Sequence, residues 1–494
     1  MSERSDQGSQ PQFGSNLDRA YDLQAFREQG GRLIERLAGY LEGALDRQGP
    51  VLAPMDPEAL LAQVEAGFPR WPDEGKGVLE ELLMGVVRHS NHVHHPGFVG
   101  HQVSAPLPQA ILAEMVGSLL SNGMAVWEMG QLQTVMERRV VEYLCGKLGW
   151  PSSSDGVLTS GGSLGNLTAL LAARQAKAGY DVWAEGQREP MSLLVSEQAH
   201  YCISRSVQCM GWGAKGAAPV PTDDRFRLRP EALEQVLKHC QDDGRQVLAV
   251  VASCCSTAAG SFDPLPEIAD FCEENNLWLH VDGAHGASLC LSEEHKHTLR
   301  GIERADSVVW DLHKMMALPA LNTAVLFREG ARSYEPFAQS ASYLYQGEER
   351  EQEWFQIGRR TMECTKRGLS ITAYCMLQSA GTELFAENVE RLIRRASDLA
   401  DRLQAAPDFE LATYPEANIL CFRHLPEGES TNPADLDAHQ ARIRAAVLEA
   451  GDFYITQARL NDKLWMRVTI SNPFTSEADL DRLIAAIREA AQQD

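Results

Sequence analysis

The stretch ADSVVWDLHKMMALPA, residues 305–320, decides how the rest of the chain is read. An apolar run, Ser307 to Trp310, stops at a polar cluster, Asp311-Leu312-His313-Lys314, and two methionines with more apolar residues follow. The run has the β-branched and aromatic character of an interior strand. Lysine is among the residues least often buried unless it is paired, so a lysine at the end of such a strand needs a chemical reason. In a mostly apolar setting an amine is expected to have a depressed pKa, because desolvation disfavours its charged form. A neutral amine can form a Schiff base.

Outward from this strand the same rhythm recurs from about residue 155. GVLTS (156–160), MSLLVS (191–196), VLAVVASC (247–254), LWLHVD (277–282) and TAVLF (323–327) are short apolar runs separated by helical text. Continuous apolar runs indicate strands covered on both faces, and strands alternating with helices indicate a mostly parallel α/β sheet. Polar clusters follow five of these runs: Ser160-Gly161-Gly162-Ser163, His200, Ser256-Thr257, Asp282 and His313-Lys314. Ligands of open α/β sheets bind outside the carboxyl ends of the strands, so the five clusters are expected to converge on one crevice.

The flanks differ. Residues 1–16 read as a flexible tail and residues 17–95 as a helical segment, with Phe26, Leu33, Leu37, Tyr40 and Leu41 on one face of a helix. Residues 96–370 form the α/β domain, and residues 371–494 a smaller α+β domain ending in the helix EADLDRLIAAIREAA. The net charge of −23 argues against nucleic acid and anionic membrane as partners. No window reaches the roughly 18 to 20 apolar residues of a membrane span, and the N-terminus has no apolar signal core. Eleven cysteines occur without C-x-x-C pairs or metal-ligand spacing, which suits free thiols in a reducing cytosol.

Taken singly, the polar clusters admit ordinary readings. The Gly-rich turn into the helix of TSGGSLGNLTALLAAR (159–174) is an anion cradle or a plain N-cap turn. Asp282 is a partner for a buried cation or a capping aspartate. His200 is a stacked imidazole, a general acid or a core histidine. With Lys314 they make one set: anion cradle, imidazole, carboxylate and amine. Pyridoxal 5′-phosphate needs each, for its phosphate, its ring face, its ring nitrogen and its aldehyde.

The ordered motifs TSGGSLGNLTALLAAR, EQAHYCISRS (197–206), STAAGSFDPL (256–265), LHVDGAHGAS (279–288) and DLHKMM (311–316) resemble those of the group II pyridoxal-phosphate-dependent amino acid decarboxylases. The likeness runs from HHPGFVGHQVSAPLP (94–108) to RVTISNPFTSEADLDRLI (467–484). The resemblance implies the aspartate aminotransferase-like fold, fold type I, and decarboxylation of an L-amino acid. It implies that Lys314 holds the cofactor, Asp282 pairs its ring nitrogen, Ala284 lies against the ring and His200 stacks on the other face. Gly162, Ser163 and His313 would contact phosphate, with Ser256 and Thr257 near the ring. Asp311 departs from the asparagine of many animal members, and a carboxylate beside a phosphate is unfavourable unless it points away or a cation screens it.

Tyr343, in QSASYLYQGEE (339–349), matches the family's catalytic-loop tyrosine, which returns a proton to Cα. Arg467 matches an arginine that holds a substrate carboxylate. Phe98, His101, Gln102 and Trp127 are substrate-side candidates. The expected substrate is polar and non-aromatic: glutamate, aspartate, cysteine sulfinate or 2,4-diaminobutyrate. The alternatives are an aromatic amino acid, or oxidative aldehyde formation on the same fold. The family also implies a homodimer, its site at the interface and the N-terminal segment wrapped round the partner, and the cysteine usage implies a cytoplasmic location.

Overall fold

The computed structural model describes residues 17, 20–64, 68, 78–337, 354–426 and 432–493. Its centre is a seven-stranded sheet of β1 (Asp155–Thr159), β2 (Met191–Ser196), β3 (Ala217–Val220), β4 (Gln246–Ser253), β5 (Trp278–Asp282), β6 (Ser307–Asp311) and β7 (Thr323–Phe327). The spatial order is β1-β7-β6-β5-β4-β2-β3. β7 runs antiparallel to both β1 and β6, and the remaining pairs are parallel. Six strands therefore present their carboxyl ends at one edge, and β7 starts there.

The apolar runs are buried as expected of strands covered on both faces: every residue of β2, β5, β6 and β7 is buried. Each large apolar side chain so buried, such as Trp310, contributes roughly 1.5–3 kcal/mol relative to exposure. Helix Gly162–Lys177 lies across β6 and β7, and Gly165 permits the approach: a Cβ there would sit 3.1 Å from Val325, with Thr323 and Val309 at 3.3 Å. The short edge strand β3, AAPV, was not expected.

Among the described residues, the outer edge of β1 has no strand partner. Its free backbone groups are met by side chains instead. Lys366 donates to the Leu158 carbonyl, and Glu137, paired to Lys366 at 2.6 Å, accepts from the Leu158 N–H at 2.9 Å. Arg360 donates to the Gly156 carbonyl at 2.9 Å.

A second, antiparallel sheet holds β8 (Phe409–Leu411), β9 (Ile419–His424), β10 (Thr456–Leu460) and β11 (Lys463–Thr469) in the order β10-β11-β9-β8. Asn461 and Asp462, both at positive φ (48° and 59°), form the two-residue turn joining β10 to β11, a geometry that Asn and Asp tolerate. Helices Glu383–Ala405, Pro433–Ala450 and Glu477–Ala491 pack with this sheet.

Helix Leu23–Leu45 starts where Asp22 caps the Gln24 and Ala25 N–H groups. Its apolar residues find little cover among the described residues: only Ala44 is buried, and Phe26 is 65% exposed. Among the described residues, no helix is long and apolar enough to cross a membrane.

Candidate active site

The strand-end clusters lie along the edge where β1, β2, β4, β5 and β6 finish. Ser160-Gly161-Gly162 follow β1. Gly161 has φ +104°, a conformation that favours glycine, and turns the chain into helix Gly162–Lys177. No side chain among the described residues caps that helix, so its first N–H groups and dipole face the crevice and suit an anion. Gly162 and Ser163 open the helix, with Ser163 exposed.

His200 follows β2 as the residue that caps helix Tyr201–Cys209. Its Nδ1 accepts from the Cys202 N–H at 3.3 Å, which assigns the ring proton to Nε2. Burial pulls its pKa down, with the Asp282 charge opposing and Lys314 assisting, so the imidazole is neutral. Asp282 ends β5. It is buried, accepts from the Ala284 N–H at 3.2 Å, and forms no ion pair among the described residues. Burial pushes its carboxyl up, only partly opposed by Lys314 and His200. A buried carboxylate without a cation is a site that a protonated ring nitrogen would complete. Ala284 is buried beside it, and its carbonyl accepts from the Asp311 N–H at 3.1 Å.

Beyond β6, His313 is fixed by contacts of its Nδ1 to the Asn322 carbonyl and N–H, at 2.9 and 3.1 Å. The Lys314 Nζ lies 2.9 Å from Asp311 Oδ2, the two side chains being 19% and 3% exposed. Two expectations change here. Burial alone would depress the amine, but the Asp311 carboxylate, with Asp282 beyond it, holds the Lys314 ammonium above its ordinary range. Asp311 is therefore part of the site, and Lys314 is the cation that screens it. Burial pushes Asp311 up, yet Lys314, His313 and the Thr323 hydroxyl at 2.6 Å outweigh this and leave its carboxyl below the usual range. The i, i+3 spacing of Asp311 and Lys314 was the signal available in the sequence, because one turn after a strand end brings such residues together.

Other named residues sit as follows. Ser256 and Ser261 bond to each other after β4. The Thr257 carbonyl accepts from Arg467 Nη2 at 2.7 Å; Arg467 also donates to the carbonyls of Ala258 and Gly100 and to Thr456 Oγ1. Arg467 thus straps the post-β4 turn to β11 and to the 98–102 segment. Phe98 is 2% exposed and stacks on Tyr454, with ring centroids 5.4 Å apart; the exposed His101 tilts against the same ring. Gln102 Nε2 is buried without a partner among the described residues. Trp127 packs edge-on against Trp354 and Phe355. Tyr343 lies outside the described residues.

Sequence reasoning passed over two further parts. His280, one strand position pair before Asp282, bonds Ser307 Oγ at 2.8 Å and Asn166 Oδ1 at 2.7 Å, linking β5, β6 and the cradle helix. His285 bonds Asn418 at 2.6 Å and leaves Nδ1 unpartnered among the described residues.

Comparison with known proteins supplies the remaining step. The human cysteine sulfinic acid decarboxylase is 28% identical over 447 residues, covering 88% of this chain and 90% of that protein. The aromatic-L-amino-acid decarboxylase of Bacillus atrophaeus is 26% identical over 444 residues, covering 90% and 91%. The crystal structure of mouse CSAD superposes with a TM-score of 0.87 at 26% identity, covering 94% of this chain and 99% of that one. Residues 57–425 match the pyridoxal-dependent decarboxylase conserved domain. The uncapped helix start, the cationless carboxylate of Asp282 and the lysine beyond β6 have the functional groups this cofactor needs, and the chain belongs to the pyridoxal-dependent decarboxylases, carboxy-lyases that use pyridoxal 5′-phosphate to release CO2 from an amino acid.

Proposed function

We propose that the substrate is an L-amino acid with a polar, non-aromatic side chain: cysteine sulfinate, glutamate, aspartate or 2,4-diaminobutyrate. The observation that carries this reading is Gln102 Nε2, a buried donor with no acceptor among the described residues, on the segment whose Gly100 carbonyl receives Arg467. The four bonds of Arg467 leave one Nη2 hydrogen without a partner among the described residues. Unsatisfied buried donors disfavour an apolar ligand and favour one bringing oxygen acceptors. Acidic substrates therefore suit the site best within this class, and Phe98 forms the wall behind it.

In this reading each side chain has a separate task. Bound pyridoxal phosphate supplies the electron sink for the electrons that the departing carboxylate leaves behind. Gly162, Ser163 and His313 hold its phosphate. Asp282 keeps the ring nitrogen protonated, Ala284 and Thr257 line one side of the ring, and the neutral His200 covers the other. Lys314 would hold the cofactor's aldehyde, and Tyr343 would supply the proton for Cα. Release of CO2 from a panel of L-amino acids tests the substrate. Highest kcat/KM for the acidic members, with KM raised in Gln102→Leu, is expected. Preference for tyrosine or tryptophan would support the aromatic reading that the Bacillus relative suggests.

The working unit in this reading is a homodimer. Leu112, Met115, Leu119 and Leu120 on helix Pro108–Leu120 and Leu82 and Val86 on helix Val78–Arg88 are each at least half exposed, beside the uncovered helix Leu23–Leu45. Apolar surface of this extent marks a protein interface, and light scattering should give twice the chain mass. The eleven free thiols suit a reducing compartment such as the cytoplasm.

A further inference from the structure

Asp311 has no task in the scheme above, yet among the described residues it is the ion-pair partner of Lys314. Its Oδ2 accepts from Nζ at 2.9 Å, and the Thr323 hydroxyl, 2.6 Å from Oδ1, fixes the carboxylate in that orientation. The two side chains are 3% and 19% exposed, so little water screens the attraction. An ammonium so held has no lone pair with which to attack an aldehyde. The same carboxylate adjoins the Gly161–Gly162 turn, for a Cβ on Gly162 would lie 3.0 Å from Oδ1 and 3.1 Å from Oδ2. The empty site thus contains one contact that opposes both the aldehyde and the phosphate of the cofactor.

We propose that Asp311 is a latch on the unloaded site: it holds Lys314 as an ammonium, and capture of the cofactor waits for the small fraction of molecules in which that proton has left for solvent. One proton passes from Nζ to water. Nζ then bonds to the aldehyde carbon, and its two remaining hydrogens leave with the aldehyde oxygen as water; nothing is oxidised or reduced. Without the carboxylate, burial would act alone on the amine and disfavour its charged form. Removing Asp311 should therefore open the site to the cofactor rather than damage it. The proposal rests on the reading of Lys314 as the cofactor lysine.

The other titratable groups around Lys314 leave this role to Asp311. Asp282, at the end of β5, also favours the ammonium, but it forms no ion pair among the described residues. Cys255, in the turn after β4, acts in the same direction, yet burial pushes its thiol up to about 12 and keeps it neutral. Cys202, on helix Tyr201–Cys209, is likewise pushed up to about 12 by burial. His200 is neutral, and burial holds His285 down to about 3, so neither adds a charge. Arg467, whose charge reaches Cys255 and His285, works against a second cation. His313 shares the turn, with Nε2 3.7 Å from Asp311 Oδ2.

The test uses the full-length apoprotein, its Asp311→Asn variant and two probes, with Asp311→Ser in reserve should the asparagine variant not fold. Pyridoxal 5′-phosphate reports capture through the growth of its visible absorption band. Pyridoxamine 5′-phosphate, which has no aldehyde, reports occupancy of the site without capture. The wild-type capture rate should rise about tenfold per pH unit from pH ~6 to ~9 without a plateau, because free amine is scarce throughout that range. The variant should capture at least about tenfold faster at neutral pH and level off at a lower pH than the wild type. The amine probe should bind the variant no more weakly than the wild type. Capture by the variant no faster than by the wild type overturns the proposal. A wild-type rate that is flat across the range also overturns it, and needs no variant. So does a gain in capture matched by an equal gain in affinity for the amine probe at an unchanged pH slope, which would assign the whole effect to repulsion of the phosphate. Lys314→Ala should show no visible band; a normal band there removes the reading of Lys314 instead.

Discussion

The buried pair at the free edge of β1 yields a quantitative prediction. Lys366 and Glu137 have side chains 0% and 2% exposed and lie 2.6 Å apart, and between them they satisfy both backbone groups of Leu158. Lys366→Met removes the ammonium, leaves the Glu137 carboxylate buried without a counter-charge, and orphans the Leu158 carbonyl. Removing one partner of such a pair costs about 3–5 kcal/mol. For 494 residues at roughly 2.1 cal/mol/K of unfolding entropy each, 4 kcal/mol corresponds to about 4 °C in Tm. Burial lowers the pKa of Lys366, and the attraction of Glu137 offsets this only in part, so the charged pair is not itself a large net gain. The double variant Glu137→Gln/Lys366→Met should therefore regain stability. Glutamine still accepts from the Leu158 N–H, and only the carbonyl loses its donor, at about 1–3 kcal/mol. Calorimetry of the three proteins decides the matter, and a double variant at least as unstable as Lys366→Met refutes the reasoning. Because β1 leads into Gly161 and Gly162, Lys366→Met should also weaken binding of pyridoxamine 5′-phosphate.

Other perturbations follow from the same geometry. Asp282→Asn should retain cofactor but lose roughly 100- to 1,000-fold in kcat, since an amide cannot hold the ring nitrogen protonated; a loss under about tenfold would assign that role elsewhere. Tyr343→Phe should still release CO2, more slowly, and under air its product should shift from amine towards aldehyde, ammonia and peroxide. Unchanged amine yield with no aldehyde would point to another proton donor. Burial holds His280 down to about 3, opposed by Ser307, so it folds as the neutral form. The unfolded chain binds the extra proton below about pH 6.5, so this contribution to stability is complete above that pH. It falls by about 1.4 kcal/mol per unit as the pH drops towards the folded value. His280→Gln should flatten urea-midpoint curves between pH ~6 and ~5 relative to wild type, and identical slopes would exclude the effect.

Much of the sheet was legible because its signals are local. Six of the seven strands coincide with continuous apolar runs, and their polar ends could be ordered along one edge by the rule for open α/β sheets. What stayed hidden depends on contacts between distant segments. β3 and β10 are short or partly exposed and carry no strong apolar run. The polarity around Lys314 was misjudged because apolar neighbours in sequence suggested a dry amine, whereas the turn after β6 folds Asp311 back onto it. Arg467 reads in sequence as a free fork. Only the fold reveals that carbonyls from residues 100, 257 and 258 occupy most of it.

The placement of β7 has a consequence for how the protein is made. Among the described residues, β1 touches the sheet only through β7, the last of the seven strands to be synthesised. A nascent chain can zip β2 through β6 by parallel pairing, but β1 has no neighbour until residue 327 has left the ribosome. The Gly161–Gly162 turn and Lys314, more than 150 positions apart in the chain, are thus brought into register by one late insertion. Closure of such a non-local contact is slow. The partly assembled sheet, its gap between β1 and β6 still open, is the species most exposed to mispairing during synthesis. Cofactor capture is then a natural report of that final strand insertion.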